Sequence, residues 1–374
     1  MKKCPAYIAA ALLAASCIYP YTPELPSETT RTVVVDGEIL VGGVSTIRLS
    51  YLTPLNVNGA TTGVPRGRAW VEDENGQRFD QPTSELSGII YIPTGDAVPG
   101  RNYRAVIEVD GNTYTSDWVQ ASPAPVIQNV SFRADETNVT VYVDVDAEAS
   151  QSGYLGFSYE ETWKFHSEFL PDYVIDPNTW SISPLMSDWP NYWCYRSYTS
   201  AQRVLLDYTA LEGSNTQSFP VTYFARTDSR NHQRYSILVK AYSLSRDAYL
   251  YNKMTQDISD LGGDLFSPDP GTLPSNLSCQ NEPERAVMGL VLAAEVASKR
   301  VYMDNSYLIV PKANTSSFVV PSFDDFPRYY NEMNYRPILT ISTDTGSGIG
   351  WGPLRCIDCI AAGGTQEKPD FWEE

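Results

Sequence analysis

Cysteine is the residue type with the most chemistry to offer here, and four cysteines lie well inside the chain: Cys194, Cys279, Cys356 and Cys359. A redox-active C-x-x-C normally opens a helix, whereas the pair at 356 and 359 precedes a glycine pair at 363–364. A zinc site of four cysteines normally uses two C-x-x-C pairs, and the second is missing. The pattern favours two structural disulfides. Of the three pairings allowed, nearest neighbours give Cys356–Cys359 with Cys194–Cys279.

Hydrolytic chemistry has weak support in the sequence. Asp344-Thr345-Gly346-Ser347 resembles the catalytic loop of pepsin-like aspartic proteases, but those enzymes need two such carboxylates and a second motif does not occur. The two histidines, His166 and His232, lack metal-ligand spacing, and no G-x-S-x-G, P-loop or Rossmann motif is present. We therefore expect no enzyme, no metal and no cofactor. A hydrolase stays open as an alternative, because a linear sequence does not show an acid pair or triad assembled in a cleft.

Aromatic residues are concentrated between 154 and 198, with thirteen in 45 residues against 12% in the whole chain. From 180 to 193 they alternate with prolines and polar residues without helical or strand periodicity, which is typical of a loop. Exposed aromatic rings in loops supply rigid contact area for a ligand or a partner protein. The alternative is that the rings pack as a minor core. The candidate binding residues are Trp180, Trp189, Tyr192 and Trp193.

The N-terminus has the pattern of an exported protein. Two lysines at 2–3 precede an apolar stretch at 6–15, small residues follow, and then comes Cys17. This run resembles a bacterial lipobox, in which the cysteine becomes the lipid-modified first residue. We expect a signal peptide at 1–16, lipidation of Cys17, and a proline-containing tether at 17–31. No later segment has 18 continuous apolar residues, so the protein would be anchored to the membrane by its lipid.

Charge and length limit the remaining classes. The formal net charge is −18, and the acidic residues are scattered along the chain. Such a surface argues against nucleic acid as a partner and against binding an anionic membrane by charge alone. A chain of 374 residues is long enough for two domains.

Residues 32–123 show the pattern of an immunoglobulin-like or fibronectin-type β-sandwich. Short runs with two-residue alternation or β-branched residues are separated by turn signals. Asn75-Gly76 and Asp110-Gly111 are typical of tight hairpins, which need positive φ at the turn. The prolines of segment 121–130 mark a boundary between two domains.

Residues 124–374 read as a larger β-rich domain with one helix near 245–261, which Gly262-Gly263 would end. The run at 287–303 mixes alanines with valines, and we favour strands there. At the C-terminus we expect a disulfide-stapled tail, with Phe371 and Trp372 folded back onto the domain.

Several segments, taken in order, resemble the Bacteroidota lipoproteins catalogued as domain-of-unknown-function family 4249. The segments are GRAWVEDENG (67–76), YSILVKAYSLSRDAYLYNKM (235–254), GGDLFSPDPGTLPSNLSC (262–279), VMGLVLAAEVASKRVYM (287–303) and CIDCIAAGGTQEKPDFW (356–372). The resemblance implies a lipid-anchored outer-membrane protein that accompanies a TonB-dependent transporter. It does not indicate the membrane face, since the first acidic residue after Cys17 is Glu24.

The function expected from these observations is non-enzymatic. The protein would capture a ligand, such as a glycan or a peptide, for a TonB-dependent nutrient transporter, or cover that transporter. The alternative is a surface adhesin or a structural interaction protein.

Overall fold

The computed structural model describes residues 32–52, 67–81, 88–146, 148, 152–209, 215–260, 273–304, 307–309, 315, 317–344 and 346–373. The expected signal peptide, Cys17 and the tether lie outside the described residues, and so does the expected glycine stop at 262–263.

The described residues form mostly strands, and the prediction of a mainly β protein is confirmed. The strands are β1 (Val33–Val41), β2 (Gly43–Tyr51), β3 (Arg68–Asp73), β4 (Arg78–Asp80), β5 (Ile89–Thr94), β6 (Asn102–Val109), β7 (Asn112–Ser116), β8 (Val119–Gln120), β9 (Val126–Ala134), β10 (Asn138–Asp146), β11 (Tyr154–His166), β12 (Tyr173–Asp176), β13 (Ser181–Pro184), β14 (Trp193–Thr199), β15 (Val204–Asp207), β16 (Asn215–Ala225), β17 (Arg234–Leu244), β18 (Leu277–Cys279), β19 (Val287–Asp304), β20 (Tyr335–Thr343) and β21 (Gly346–Pro353). The helices are α1 (Arg246–Asp260) and α2 (Phe326–Asn331).

One eight-stranded sheet runs through the molecule in the order β14–β11–β17–β19–β1–β2–β5, and β15 also pairs with β11. Its central strand, β19, is 18 residues long, which agrees with our choice of strand for this run. The first half of β19 pairs in parallel with β1, and the second half pairs antiparallel with β17. A single strand therefore joins two half-sheets, and we call the result the shared sheet.

Two sandwiches are built on the same side of the shared sheet. In the first, β1, β2, β5 and the start of β19 pack against the sheet β18–β7–β6–β3–β4, with β8 beside β6. In the second, β11, β14, β17 and the end of β19 pack against β16–β10–β9. Alternation builds both cores, because every second residue of a strand faces the opposing sheet. The inward residues include Val35, Ile39, Val71, Ile107 and Tyr114 in the first core, and Val141, Val143, Phe157, Ile237 and Val239 in the second.

The expected domain boundary at 121–130 is fastened to the shared sheet. The Ser243 hydroxyl donates to the Pro123 carbonyl, and the Ala124 amide donates to the Glu295 carboxylate. Beyond this boundary, β18 and β19 return to the first sandwich and pair with β7 and β1. The first sandwich thus contains strands that the sequence analysis assigned to the second domain.

Helix α1 lies where the sequence predicted a helix near 245–261. Ser245 caps it, since its hydroxyl accepts a hydrogen bond from the Ala248 amide. The shorter helix α2, with Pro327 in its first turn, was not predicted. Among the described residues, no helix has the length and apolar character needed to cross a membrane.

Two hairpins, β12–β13 and β20–β21, form a small lobe with its own core. This lobe contains α2 and packs around Phe169, Phe318, Ile338 and Ile357.

Candidate functional site

The outer face of the shared sheet, opposite both sandwich cores, carries outward-facing acids, a helix and a cleft. In β1 the sequence Val35-Asp36-Gly37-Glu38-Ile39 alternates, so that Val35 and Ile39 enter the core while Asp36 and Glu38 face outward. Helix α1 covers part of this outer face. Its contacts form a third apolar cluster, which comprises Leu40, Tyr154, Leu205, Tyr242, Leu244, Ala248, Tyr249, Tyr251, Leu290, Leu292, Ala294 and Val296.

A cleft of about 860 Å³ lies beside α1 on this face, and we call it the main cleft. Its volume falls in the range usual for small-ligand sites. Its walls come from β1, β2 and β5 of the first sandwich, from β11 and β17 of the second, from the β14–β15 connection and from α1. Because the walls come from both sandwiches, the cleft depends on the way in which β19 joins them.

Among the described residues, six charged side chains line the main cleft, and each is paired with one of opposite sign. Arg203 contacts Glu38 at 2.8 Å, Arg48 contacts Asp36 at 3.3 Å, and Lys240 contacts Glu160. The first pair is mostly buried, with 16% and 15% of the two side chains exposed, whereas both members of the Asp36–Arg48 pair are 54% exposed. The lining therefore has many charges but no net charge.

Arg203 is the most tightly held of these residues. Its guanidinium also donates to Asn252 on α1 at 3.3 Å and lies over the ring of Tyr242 at 5.0 Å. Burial is the largest single influence and opposes the charge, but the interactions with Glu38, Tyr242 and Asp36 together outweigh it, and the pKa of Arg203 is raised. Burial, reinforced by the nearby Glu38 carboxylate, also raises the pKa of Tyr242 to about 12, so its phenol stays protonated and is 3.0 Å from the Ser158 hydroxyl.

A second cavity of about 610 Å³, here called the side cleft, adjoins the main cleft. Both are lined by Tyr159, by the segment Ser200–Arg203 and by Gln256. The Gln256 amide on α1 donates to the Arg203 carbonyl at 2.6 Å and fastens this segment to the helix. This segment forms the partition between the two clefts. It is held by α1 through Gln256 and by β1 through the ion pair of Arg203 with Glu38.

The four aromatic residues predicted from the sequence do not line either cleft. Trp189 is half-buried in the core of the small lobe, where its indole N–H donates to the Ile357 carbonyl. Trp180 has a positive φ of 57° and packs edge-on against Tyr330, with ring centroids 5.8 Å apart. For Trp189 the structure shows the packing role that the sequence analysis kept as its alternative.

Tyr192 and Trp193 belong to a separate stack with both histidines. The His166 ring stacks on Tyr192 at 5.1 Å and on His232 at 4.2 Å, and Trp193 meets His166 edge-on. Burial and the neighbouring His166 lower the pKa of His232 from 6.5 to about 4, so the His232 imidazole is neutral near pH 7. Trp193 is 39% exposed and is the most accessible of the four predicted residues.

The predicted disulfide pairing is wrong. Cys194 bonds to Cys359, with Cα atoms 5.7 Å apart, while Cys279 and Cys356 are free thiols. Cys279 lies on β18 in the first core, whereas Cys194 lies in the second. The C-terminal segment runs alongside β14, where the Cys359 amide donates to the Asn191 carbonyl, and this pairing brings Cys359 to Cys194.

The tail is docked on the domain, and its staple is the Cys194–Cys359 bond in place of the expected bond within the C-x-x-C pair. Trp372 is buried edge-on against Tyr195 and Tyr302, and Arg300 lies over the ring of Phe371, 3.6 Å from its centroid. The described residues contain no group of three or more His, Cys, Asp or Glu side chains placed to hold a metal ion.

No motif in the sequence indicates the main cleft. The only local signal was the outward pair of acids in β1, which reads as an ordinary solvated strand face. Arg48 lies 12 positions from its partner Asp36 in the sequence, and Arg203 lies 165 positions from its partner Glu38. Only the pairing and packing of distant strands bring these bases to the acids.

Fold and cleft together define a β-sandwich protein with a charge-balanced cleft on the outer face of its shared sheet. The profile of the family described as "Domain of unknown function (DUF4249)" matches residues 18–300. The match spans more than half of the chain, and the chain belongs to this family. The C-terminal run at 356–372 lies beyond the matched range. No curated protein matches the chain.

Two solved structures show the degree of similarity to other β proteins. A two-domain fibronectin type III segment of chicken tenascin is 11% identical, and the match covers 56% of this chain and 89% of that one with a TM-score of 0.16. Trypsin-activated alpha-2-macroglobulin from Escherichia coli is 10% identical, and the match covers 58% of this chain and 15% of that one with a TM-score of 0.18.

Proposed function

We propose that this protein is a non-enzymatic, lipid-anchored outer-membrane lipoprotein that captures a small ligand for a TonB-dependent transporter. The observation that carries the proposal is the main cleft, which both sandwiches, the β14–β15 connection and α1 build together. A cleft of about 860 Å³ with fixed polar walls suits the binding of a small ligand.

Binding is favoured over catalysis by the pairing of the acidic groups in the main cleft. A general acid or a nucleophilic carboxylate has to exchange a proton or form a bond during each turnover. Asp36, Glu38 and Glu160 each contact a cationic side chain. Such pairs supply fixed, strong hydrogen-bonding groups, which is the requirement of a recognition site.

The proposed lipid anchor and the proposed transporter partner are supported by the sequence. The apolar stretch at 6–15 followed by Cys17 supports lipidation, and the resemblance to the Bacteroidota lipoproteins supports an outer-membrane location and a transporter partner. The −18 net charge is consistent with a partner other than nucleic acid.

The test is purification of the full-length protein from membranes in mild detergent, followed by identification of co-purifying proteins by mass spectrometry. We expect an outer-membrane transporter to co-purify with the parent. A Cys17→Ala variant should leave the membrane fraction, and a matched Cys279→Ala variant should stay in it. The proposal is contradicted if no transporter co-purifies with the parent protein, or if the Cys17→Ala variant stays in the membrane fraction. Recovery of a surface partner of another class would favour the adhesin alternative.

A further inference from the structure

We infer that the main cleft and the side cleft are neighbouring subsites for a neutral oligosaccharide of at least two sugar units. The inference rests on the proposed capture function and names the chemical class of its ligand. Charge balance, hydrogen-bonding groups, aromatic faces and the partition between the clefts each support it.

The first step is that the charges that line the main cleft balance one another. Each of the three acids that the described chain places in the main cleft contacts one of its three bases, so a charged ligand finds no uncompensated partner among these residues. An ion that enters such a site loses hydration without gaining a counter-charge, or has to break an existing pair. In the side cleft the two further charged residues, Lys253 and Asp257, also have opposite signs. The balance favours a ligand without formal charge.

The second step concerns hydrogen bonding. A sugar hydroxyl both donates and accepts, and it therefore fits a wall that mixes carboxylates, cationic groups, amides and hydroxyls. Neutral polar side chains line the main cleft alongside the ion pairs. They are Thr46, Ser158, Thr199, Ser200, Gln202, Asn252, Thr255 and Gln256.

The third step concerns aromatic surface. Four tyrosines line the main cleft, and the side cleft adds Tyr198 and Tyr249. A tyrosine combines an apolar ring face, which packs against the C–H face of a sugar, with a hydroxyl that forms hydrogen bonds. Tyr91 on β5 is 48% exposed and so has free ring surface. A peptide with apolar side chains would find little aliphatic wall: among the described residues, Leu40, Val44 and Ala201 supply it in the main cleft, and the side cleft adds Val204 and Leu205.

The fourth step concerns length. The segment Ser200–Arg203 belongs to the walls of both clefts, so two units of one chain-like ligand can lie on its two sides. The segment is fixed by the hydrogen bond from Gln256 and by the ion pair of Arg203 with Glu38. A ligand with repeating units fits this arrangement better than a single compact molecule.

The experiment uses an array of neutral mono- to hexasaccharides, acidic oligosaccharides and tripeptides, with affinities measured by calorimetry for the best probe. We expect the full-length protein in detergent to bind a neutral oligosaccharide. Tyr91→Ala should weaken that binding at least tenfold, and Thr46→Trp, which fills the main cleft, should abolish it. The matched control is Tyr223→Ala, an exposed tyrosine on β16 outside both clefts, which should bind as the parent does. Thermal melting checks that each variant is folded.

Two further measurements test the second subsite and the absence of charge on the ligand. Tyr198→Ala should weaken binding of longer probes without changing the affinity for the shortest one, because Tyr198 lines the side cleft but not the main cleft. The affinity should change less than about twofold between roughly 50 and 500 mM salt, since a neutral ligand is not screened.

Preferred binding of acidic sugars or tripeptides, binding that Tyr91→Ala and Thr46→Trp leave unchanged, or no binding across the array overturns the inference. Each of these results leaves the transporter co-purification unaffected, so a failure of the ligand class and a failure of the proposed function are distinguishable.

Discussion

Glu38 on β1 and Arg203 before β15 form a 2.8 Å ion pair that joins the first sandwich to the second across the outer face of the shared sheet. Both side chains are largely removed from water, and each charge therefore depends on the other for its stabilisation. The pair also fixes the wall that the main cleft and the side cleft have in common.

Breaking this pair on one side should destabilise the protein. Arg203→Met leaves the Glu38 carboxylate without its cation, and we expect a loss of about 3 kcal/mol in the free energy of unfolding, measured with urea. Adding Glu38→Gln to Arg203→Met should restore at least about 1 kcal/mol of the free energy of unfolding, because it removes the unpaired buried charge. The control is Arg48→Met in the exposed pair with Asp36, which should change stability by no more than about 1 kcal/mol. Equal losses in Arg203→Met and Arg48→Met would contradict the importance of the buried pair.

The disulfide assignment is testable by peptide mapping. After alkylation of the unreduced protein and proteolysis, the peptide with Cys194 should be linked to the peptide with Cys359, while Cys279 and Cys356 carry the alkyl label. Replacing Cys194 and Cys359 by Ala should lower the free energy of unfolding by about 2–4 kcal/mol, because the bond closes a long loop. Cys356→Ser should leave the linkage intact. A bond between Cys356 and Cys359 in the mapped peptides would restore the pairing expected from the sequence.

The histidine stack predicts a pH dependence of stability. The pKa of His232 is lowered from 6.5 to about 4 in the folded protein, so between these values the unfolded chain binds a proton that the folded protein does not. The free energy of unfolding therefore rises with pH across this window, and the contribution is lost on acidification from pH 6.5 towards pH 4. His232→Phe keeps a ring in the stack with His166 but removes the titration. On acidification from pH 6.5 to pH 4, the free energy of unfolding of this variant should fall less than that of the parent. Urea midpoints that fall equally with pH in the two proteins would disprove the assignment.

A glycine contact explains how β1 and β19 approach each other. Gly289 has φ +117°, and a Cβ atom there would lie 1.8 Å from the Val35 carbonyl oxygen. Gly289→Ala should cost more than about 4 kcal/mol or prevent folding, because backbone has to move in the strand that joins the sandwiches. Gly42 also has a positive φ, of +76°, but a Cβ atom there meets nothing within 4 Å. Gly42→Ala should cost about 1–2 kcal/mol, and similar melting temperatures for the two variants would be the contrary result.

Local patterns were sufficient to predict much of the fold. The alternation of β1, the Asp110-Gly111 turn with φ of 52° and 77°, and the capped helix near 245–261 all depend on residues close in sequence. The pairing of β1 with β19 joins Val33 to Val287 and has no local signal, which is why the sequence analysis placed these strands in different domains.

The candidate site was harder to predict for the same reason. The walls of the main cleft are drawn from residues 36 to 256, and most of them are ordinary residues of a strand, a helix or the β14–β15 connection, without a motif to mark them. The aromatic loop was conspicuous in sequence, yet Trp189 is needed to fill a small core that lies far along the chain beside Ile357. Enrichment in aromatic residues did not distinguish a binding surface from a packing surface, because the same ring chemistry serves both.

Two tryptophans of that loop are expected to behave differently. Trp189→Ala removes a half-buried ring and its hydrogen bond to the Ile357 carbonyl, so the free energy of unfolding should fall by about 3–4 kcal/mol. Trp193 is 39% exposed and meets His166 edge-on, and Trp193→Ala should cost no more than about 1 kcal/mol. Both variants are measured by urea unfolding and by recovery of the transporter in detergent. If Trp193→Ala stays folded and recovers less transporter or ligand than the parent, this end of the aromatic loop is a binding surface. If it recovers as much as the parent, the loop serves packing alone, and the clefts beside α1 hold the site.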